Sequence, residues 1–156
     1  MKKLLFILML SSLFGVFENI YLSPGIQVGL NSSKEIFFSY QTTIGLIPAN
    51  DIHGIPEIAF SPGITFGVRH YKTGIKEWKS YNYIDAQITY APNHDDPFYG
   101  TGIGVIFDVD DFNKFYKYKL FSGWFGLATF DYITFKDKPK IHLGAFGVYP
   151  IFEYFN

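Results

Sequence analysis

Hydrophobic and polar residues alternate with a period of two along most of this chain. Residues 35–46 (EIFFSYQTTIGL) show the pattern well, because the even-numbered positions are mostly apolar or aromatic and the odd-numbered ones mostly polar or small. The same alternation runs through residues 58–68 and the second half of residues 16–30. A period of two is typical of β-strands whose two faces meet different surroundings. The pattern therefore predicts an all-β protein.

Two of the alternating segments also repeat each other. Residues 22–30 (LSPGIQVGL) match residues 60–68 (FSPGITFGV), and weaker copies occur at 100–103 and 144–148. A period of roughly 40 residues fits a β-hairpin with its loops better than a solenoid turn or a propeller blade. We therefore expect four hairpins, with strands near 20–30, 35–46, 57–71, 80–91, 99–108, 116–126, 128–136 and 141–155.

The predicted fold is an antiparallel meander that closes into a small barrel of about eight strands. Residues 120–135 (LFSGWFGLATFDYITF) fit either one long strand or two, so the count ranges from about six to about eight. Glycines recur on the polar face of the strands and would leave room for side chains in a narrow lumen. They are Gly25, Gly29, Gly63, Gly67, Gly102 and Gly104.

Composition excludes several classes of protein. Charged residues make up 17% of the 156 residues, below the ~25% of soluble domains. The net charge of −1 provides no basic stripe, so we expect no nucleic-acid partner. The chain has no cysteine, which excludes disulfides, the common zinc sites and a lipid-modified cysteine.

The N-terminus has the features of an export signal. Two lysines precede an apolar run at residues 4–10 (LLFILML), and small residues follow up to Gly15. This order predicts a signal peptide at residues 1–15 and a single barrel domain at residues 16–156. The apolar run is too short to span a bilayer as a helix. An uncleaved hydrophobic helix is the alternative interpretation.

The location of the barrel depends on which face meets water. The polar face carries few charges for a solvated surface, whereas the other face is rich in Phe and Ile. Both observations favour a barrel in a membrane, with its apolar face toward lipid. The alternative is a soluble periplasmic or secreted barrel of lipocalin type, in which the apolar face would line a ligand cavity.

The chain resembles the small outer-membrane β-barrel class in its export signal, its alternating strands and its aromatic C-terminal strand. Residues 142–155 (HLGAFGVYPIFEYF) are similar to the assembly signal of that class, although Glu153 and Asn156 depart from the pattern. The resemblance implies a location in the bacterial outer membrane, with the lipid bilayer as partner. We expect a monomer without a cofactor. Because the resemblance indicates no particular family, it assigns no functional residues.

Three charged residues share the polar face: Glu35, Arg69 and Asp85. Burying them unpaired in a lumen would cost several kcal/mol each, so we expect each to have a partner. They are predicted to form a polar network that plugs the lumen. A path for a polar ligand or an ion is the alternative.

Aromatic residues flank the basic segment 72–79. We expect Trp78, Tyr81 and Tyr83 to form an interfacial aromatic rim, with neighbouring lysines reaching the lipid phosphates. Binding of a sugar or an acidic partner is the alternative.

No motif in the sequence specifies a metal site. Residues 108–113 (DVDDFN) offer oxygen ligands at a spacing that hints at Ca²⁺, but they lack the glycine and the final glutamate of an EF-hand loop. Residues 93–96 (NHDD) are too few for a full coordination shell. We expect a solvated loop and a polar turn, with no metal.

Three functional hypotheses follow, and the first is the main expectation. It is a membrane barrel with a structural or interaction role and no catalysis. The second is the soluble ligand-binding barrel, and the third is a barrel enzyme that acts on membrane lipid. The enzyme would need a histidine, a serine and a carboxylate within hydrogen-bond distance of one another. No His-x-Ser pairing occurs along any strand, and His142 with Ser122 is the nearest candidate.

Overall fold

The computed structural model describes residues 17–48, 59–75, 77–91, 96–124, 126–148 and 151–153. The predicted signal peptide and residues 93–95 lie outside these ranges. The described residues contain no helix long and apolar enough to cross a membrane. They form a single antiparallel sheet whose strands are β1 Phe17–Asn31, β2 Ile36–Pro48, β3 Ala59–Lys72, β4 Trp78–Ala91, β5 Phe98–Asp108, β6 Lys114–Gly123, β7 Gly126–Ile133, β8 Lys140–Val148 and β9 Ile151–Glu153.

The sheet closes on itself through β1. Each strand from β1 to β8 pairs with the next, and β1 also pairs with β8 along Gly25–Asn31. The short β9 pairs with the first part of β1, at Ile20–Leu22, so it extends the line of β8. The described residues thus form a closed barrel that is eight strands around, because β9 continues β8 beside β1. This closed antiparallel barrel confirms the fold predicted from the alternation.

The segment whose strand count was ambiguous forms two strands joined by a tight turn. β6 ends at Gly123 and β7 begins at Gly126. Gly123 has a φ of 149°, a conformation that residues with a side chain rarely adopt. A Cβ atom at this position would also collide with the carbonyl oxygen of Gly126. The turn therefore requires glycine here.

The outer face of the barrel is apolar over most of its height. Large hydrophobic side chains from every strand between β1 and β8 lie exposed on it, for example Ile103 at 63% and Leu143 at 60%. A surface of this kind is stable against lipid and not against water. The protein is therefore a small barrel of the outer-membrane class, as predicted. The soluble alternative is wrong, because the Ile and Phe side chains of the described strands point outward and not into the barrel.

The inner face is polar, and aromatic rings fit over its glycines. The ring of Tyr83 occupies the space that a Cβ atom on Gly67 would need, and Phe121 does the same at Gly100. In both cases the ring and the glycine are direct partners in neighbouring strands. The glycines therefore make room for large side chains in a barrel too narrow to hold them otherwise.

The described turns define two ends of the barrel. Turns at residues 32–35, 73–77, 109–113 and 134–139 join the strands at one end, which we call the upper rim. The opposite end, the lower rim, holds the first residues of β1 and the turn between β6 and β7. The candidate active site lies on the outer face just below the upper rim.

Candidate active site

The barrel interior contains a network of buried charges centred on Arg69. The Arg69 side chain is fully buried, and its Nη2 donates to Asp131 Oδ2 at 2.5 Å and to Gln27 Oε1 at 2.7 Å. Its Nε donates to Ser39 Oγ at 2.9 Å. These partners come from β7, β1 and β2, so one side chain connects strands from several sides of the barrel.

A second buried ion pair lies beside the first. Lys117 Nζ, on β6, donates to Asp85 Oδ2, on β4, at 2.6 Å, and neither side chain is more than 1% exposed. The same Nζ lies 3.9 Å from the centre of the Tyr83 ring. Lys119 is also buried, and its Nζ lies 5.0 Å from the centre of the Phe121 ring. Together with Arg69 and Asp131, these described residues form a network of three cations and two carboxylates.

The three charged residues predicted to share a lumen network lie in different places. Arg69 and Asp85 are buried in the interior, but they pair with Asp131 and Lys117 and not with each other. Glu35 lies in the turn between β1 and β2 at the upper rim, where it accepts a hydrogen bond from Lys140 Nζ at 2.7 Å. The network partners on β6 and β7 were not among the predicted residues.

The residues predicted to form one aromatic rim are separated by the alternation of the strand. Trp78 is 55% exposed on the outer face, whereas Tyr81 and Tyr83 are buried inside the barrel. Tyr83 donates to Gln41 Oε1 at 2.9 Å in the interior. The expectation of a shared rim is therefore corrected: odd-numbered residues of β4 point inward, and only Trp78 of the three meets the membrane side.

The serine and histidine singled out in the sequence do not meet. His142 is fully buried on the inner face, where its Nε2 lies 3.0 Å from the hydroxyl oxygen of Tyr71. Ser122 is on the outer face of β6, opposite Tyr99 and Ala128. The wall of the barrel separates the two side chains.

A different histidine and serine do meet, on the outer face of the β3–β4 hairpin. His70 Nδ1 lies 2.8 Å from Ser80 Oγ, and both side chains are half-buried. The two residues are direct partners across the hairpin. They fall on the same face as Phe66 and Ile84, which are exposed to the membrane side.

Backbone hydrogen bonds in the hairpin turn and from the turn after β5 hold this pair. Lys72 and Trp78 form the last pair of the ladder, and the Thr73 amide donates to the Glu77 carbonyl at 3.1 Å beyond it. On the other side, the Val109 amide donates to the Ser80 carbonyl at 3.3 Å. Backbone hydrogen bonds on both sides therefore hold Ser80 in place against His70.

An apolar groove of about 820 Å³ lies directly below the pair on the outer surface. The Val68–Asn82 pair, the next outward-facing pair below His70 and Ser80, forms its near end. Its remaining outward-facing residues are Pro24, Ile26, Tyr40, Thr42, Phe66, Ile84 and Phe107. These residues lie on β1 to β5, so the groove crosses five neighbouring strands one pair below His70 and Ser80.

A serine hydroxyl in hydrogen-bond contact with an imidazole is the minimal arrangement for nucleophilic acyl transfer. The imidazole can take the hydroxyl proton while the oxygen attacks a carbonyl carbon. No described carboxylate forms a hydrogen bond with His70. The described residues therefore supply the histidine and the serine but not the carboxylate that such an enzyme was expected to need. Among them, no cluster of three acidic, histidine or cysteine side chains could hold a metal ion.

Neither a protein-family model nor a curated protein matches this chain. Among solved structures it is similar to the outer membrane enzyme PagL, with 12% identity and a TM-score of 0.57 over 83% of this chain and 99% of the other. It also matches a de novo designed transmembrane β-barrel, with 10% identity and a TM-score of 0.40 over 83% of this chain and 95% of the design. At this level of identity, the similarity to PagL concerns the fold.

This similarity contradicts the main functional expectation from the sequence. That expectation was a barrel with a structural or interaction role and no catalysis, based on the absence of a recognisable motif. The absence of a motif is not evidence against catalysis, because the enzyme PagL has the same fold although it shares only 12% of its residues with this chain. A small barrel therefore offers no reason to exclude catalysis, and the function must be argued from the residues on its surface.

Proposed function

We propose that this protein is an outer-membrane enzyme that hydrolyses an acyl ester bond of a membrane lipid, with Ser80 as nucleophile and His70 as general base. The observation that supports the proposal is the 2.8 Å contact between His70 Nδ1 and Ser80 Oγ on the lipid-facing surface. A polar pair on a lipid-facing surface costs free energy, and catalysis would account for its presence there. The enzymatic function of PagL, a barrel of the same fold, agrees with the proposal.

The depth of the pair suits an ester bond. Lys72 and Trp78 end the hairpin ladder at the upper rim, where lysine and tryptophan are favoured beside lipid headgroups. His70 and Ser80 lie two residues further down the strands, about 5 Å deeper along the membrane normal for strands tilted by ~40°. Lipid ester bonds lie at this level, between the headgroups and the acyl chains, and the groove below would accept the acyl chain.

The proposed reaction proceeds in two steps. His70 takes the proton of the Ser80 hydroxyl as Oγ attacks the acyl carbonyl carbon, and the tetrahedral intermediate collapses with loss of the lipid alkoxide, which receives the proton from His70. Water then attacks the carbonyl carbon of the acyl-serine while His70 takes its proton, and the second tetrahedral intermediate collapses with loss of the Ser80 alkoxide, which recovers the proton from His70. The products are a free fatty acid and a lipid that has lost one acyl chain.

The test compares three variants in vesicles that contain an ester-linked phospholipid. We expect Ser80→Ala and His70→Ala each to lower the rate of fatty-acid release by about 10³-fold or more. Ser122→Ala is the matched control, because Ser122 also lies on the outer face but opposite Tyr99 and Ala128. It should keep the wild-type rate. A fluorophosphonate probe should label the wild type and not Ser80→Ala. Equal rates in all three variants would refute the assignment.

We propose a structural role for the buried charges. Arg69 and Asp85, with their partners Asp131 and Lys117, would plug the barrel and hold its strands together, while Glu35 would fasten a turn at the rim. The support is that these charges are paired at 2.5–2.7 Å.

Residues 1–15 remain proposed as a cleaved signal peptide and residues 16–156 as the mature barrel.

A further inference from the structure

Four outward-facing pairs on the β3–β4 hairpin change in chemistry from the upper rim downward. The first pair is cationic and aromatic, the second combines imidazole and hydroxyl, the third adds an amide, and the fourth is apolar. From the rim they are Lys72 with Trp78, His70 with Ser80, Val68 with Asn82, and Phe66 with Ile84. This order of charge, hydrogen-bonding groups and hydrocarbon matches the order of phosphate, ester and acyl chain in a phospholipid.

We infer that the lipid bound at this hairpin is anionic, and that Lys72 binds its phosphate while its ester bond faces Ser80. The inference rests on the proposed function, and it adds the substrate class and a residue that determines specificity. Lys72 is exposed on the outer face two residues from His70, and no described carboxylate pairs with it. In contrast, Lys79 and Lys140 at the same rim are paired with Asp108 and Glu35.

The distribution of lysines over the barrel supports this inference. Every described lysine outside the interior lies at the upper rim, on the same end as the His70–Ser80 pair. These residues are Lys34, Lys72, Lys79, Lys114, Lys136, Lys138 and Lys140. The described residues of the lower rim include no lysine or arginine, and the connecting sequences 49–58 and 92–95 contain none either. Lysines near a membrane surface favour anionic lipids, so the upper rim suits a leaflet of phosphate-bearing lipids.

The experiment compares two substrates that differ in the phosphate. Phosphatidylglycerol and diacylglycerol with the same acyl chains are each placed at low fraction in vesicles of ether-linked phosphatidylcholine, which cannot be hydrolysed at an ester. We expect wild-type protein to prefer phosphatidylglycerol in kcat/KM by about fivefold or more, the effect of one lysine at a membrane surface. Lys72→Ala should lose the preference through a higher KM for phosphatidylglycerol, and Lys72→Arg should retain it. Lys114→Ala is the matched control and should behave as wild type, because Lys114 is an exposed lysine at the same rim on β6.

A binding measurement separates this inference from the proposed function. Native mass spectrometry would count the phosphatidylglycerol and diacylglycerol molecules retained by Ser80→Ala protein, with and without Lys72→Ala. Selective retention of phosphatidylglycerol that depends on Lys72, without hydrolysis by wild type, would uphold the anionic-lipid site and refute the enzyme. Hydrolysis with no preference between the two lipids, together with an unaltered Lys72→Ala variant, would overturn the anionic-lipid site and leave the enzyme standing.

Discussion

Replacing Asp131 by asparagine should destabilise the barrel strongly, although the side chain keeps its shape. The substitution removes the negative charge at 2.5 Å from Arg69, whose side chain is fully buried. Of the two described carboxylates in this network, only Asp85 would then remain beside Arg69, Lys117 and Lys119. Removing one partner of a buried ion pair costs about 3–5 kcal/mol, because the remaining charge has no water to solvate it. The surplus of positive charge puts the expected loss in the upper part of that range.

The ion pair at the rim provides a matched comparison. Glu35 and Lys140 are similarly close, at 2.7 Å, but their side chains are 26% and 22% exposed. Water screens such a pair, so Glu35→Gln should lower the free energy of unfolding by only about 0–1 kcal/mol. The two substitutions make the same change from carboxylate to amide, and they differ mainly in burial.

The measurement is urea-dependent unfolding from lipid vesicles, followed by the fluorescence of Trp78 and Trp124 and extrapolated to zero urea. We expect Asp131→Asn to lose at least about 2 kcal/mol more than Glu35→Gln. Asp85→Asn should resemble Asp131→Asn, since its partner Lys117 is equally buried. Equal losses for the buried and the rim pair would refute the reasoning that burial determines the contribution of each pair.

Three further predictions concern packing, orientation and pH. Gly100→Ala should cost about 1–3 kcal/mol in the same unfolding assay, because its Cβ would collide with a ring, whereas Gly147→Ala should be tolerated since nothing lies within 4 Å of the added atom. Ile103→Lys should cost about 2–4 kcal/mol if this residue faces lipid; an unchanged stability would contradict the outward orientation. Burial would raise the pKa of Glu35, but hydrogen bonds from Lys140 and Asn31 outweigh it and leave the pKa below 4.5. Its stabilisation is therefore present at neutral pH and lost as the pH falls through the folded-state pKa; Glu35→Gln should remove this acid-dependent part of the unfolding free energy.

The strands were predictable because alternation is a local property of the sequence. The fifth strand, expected at 99–108, is observed at Phe98–Asp108. The boundary between the sixth and seventh strands was expected near residue 127 and lies at Gly123–Gly126 instead, because the turn there depends on the backbone conformation of Gly123. The choice between lipid and a closed core could not come from the period itself, which is the same in both cases. It came from two other observations, the few charges expected on the polar face and the many Phe and Ile residues on the opposite face, although the structure places further charges inside, among them Lys117, Lys119 and Asp131.

The candidate site was not predicted because the spacing of residues along one strand does not show which residues face each other across a hairpin. Residues two apart on one strand share a face but are separated by about 6–7 Å, whereas direct partners on neighbouring strands have Cβ atoms about 4.5–5.5 Å apart. A hairpin centred on residue 75 places His70 opposite Ser80, and the gap between the expected strands 57–71 and 80–91 already indicated its approximate position. The alternation also implied that Tyr81 and Tyr83 point inward, since they share the parity of Asp85.

The fit of rings over glycines has a consequence for how the barrel assembles. Tyr83 can lie against the wall only where the partner strand offers Gly67; a shift of the β3–β4 pairing by two residues would place it opposite Thr65 or Arg69. Phe121 and Gly100 impose the same condition on β5 and β6. In each pair, a misaligned partner strand would present a side chain that collides with the ring as the hairpins come together. The glycines therefore favour the correct strand alignment, and through the β3–β4 pair they determine that Ser80 lies opposite His70.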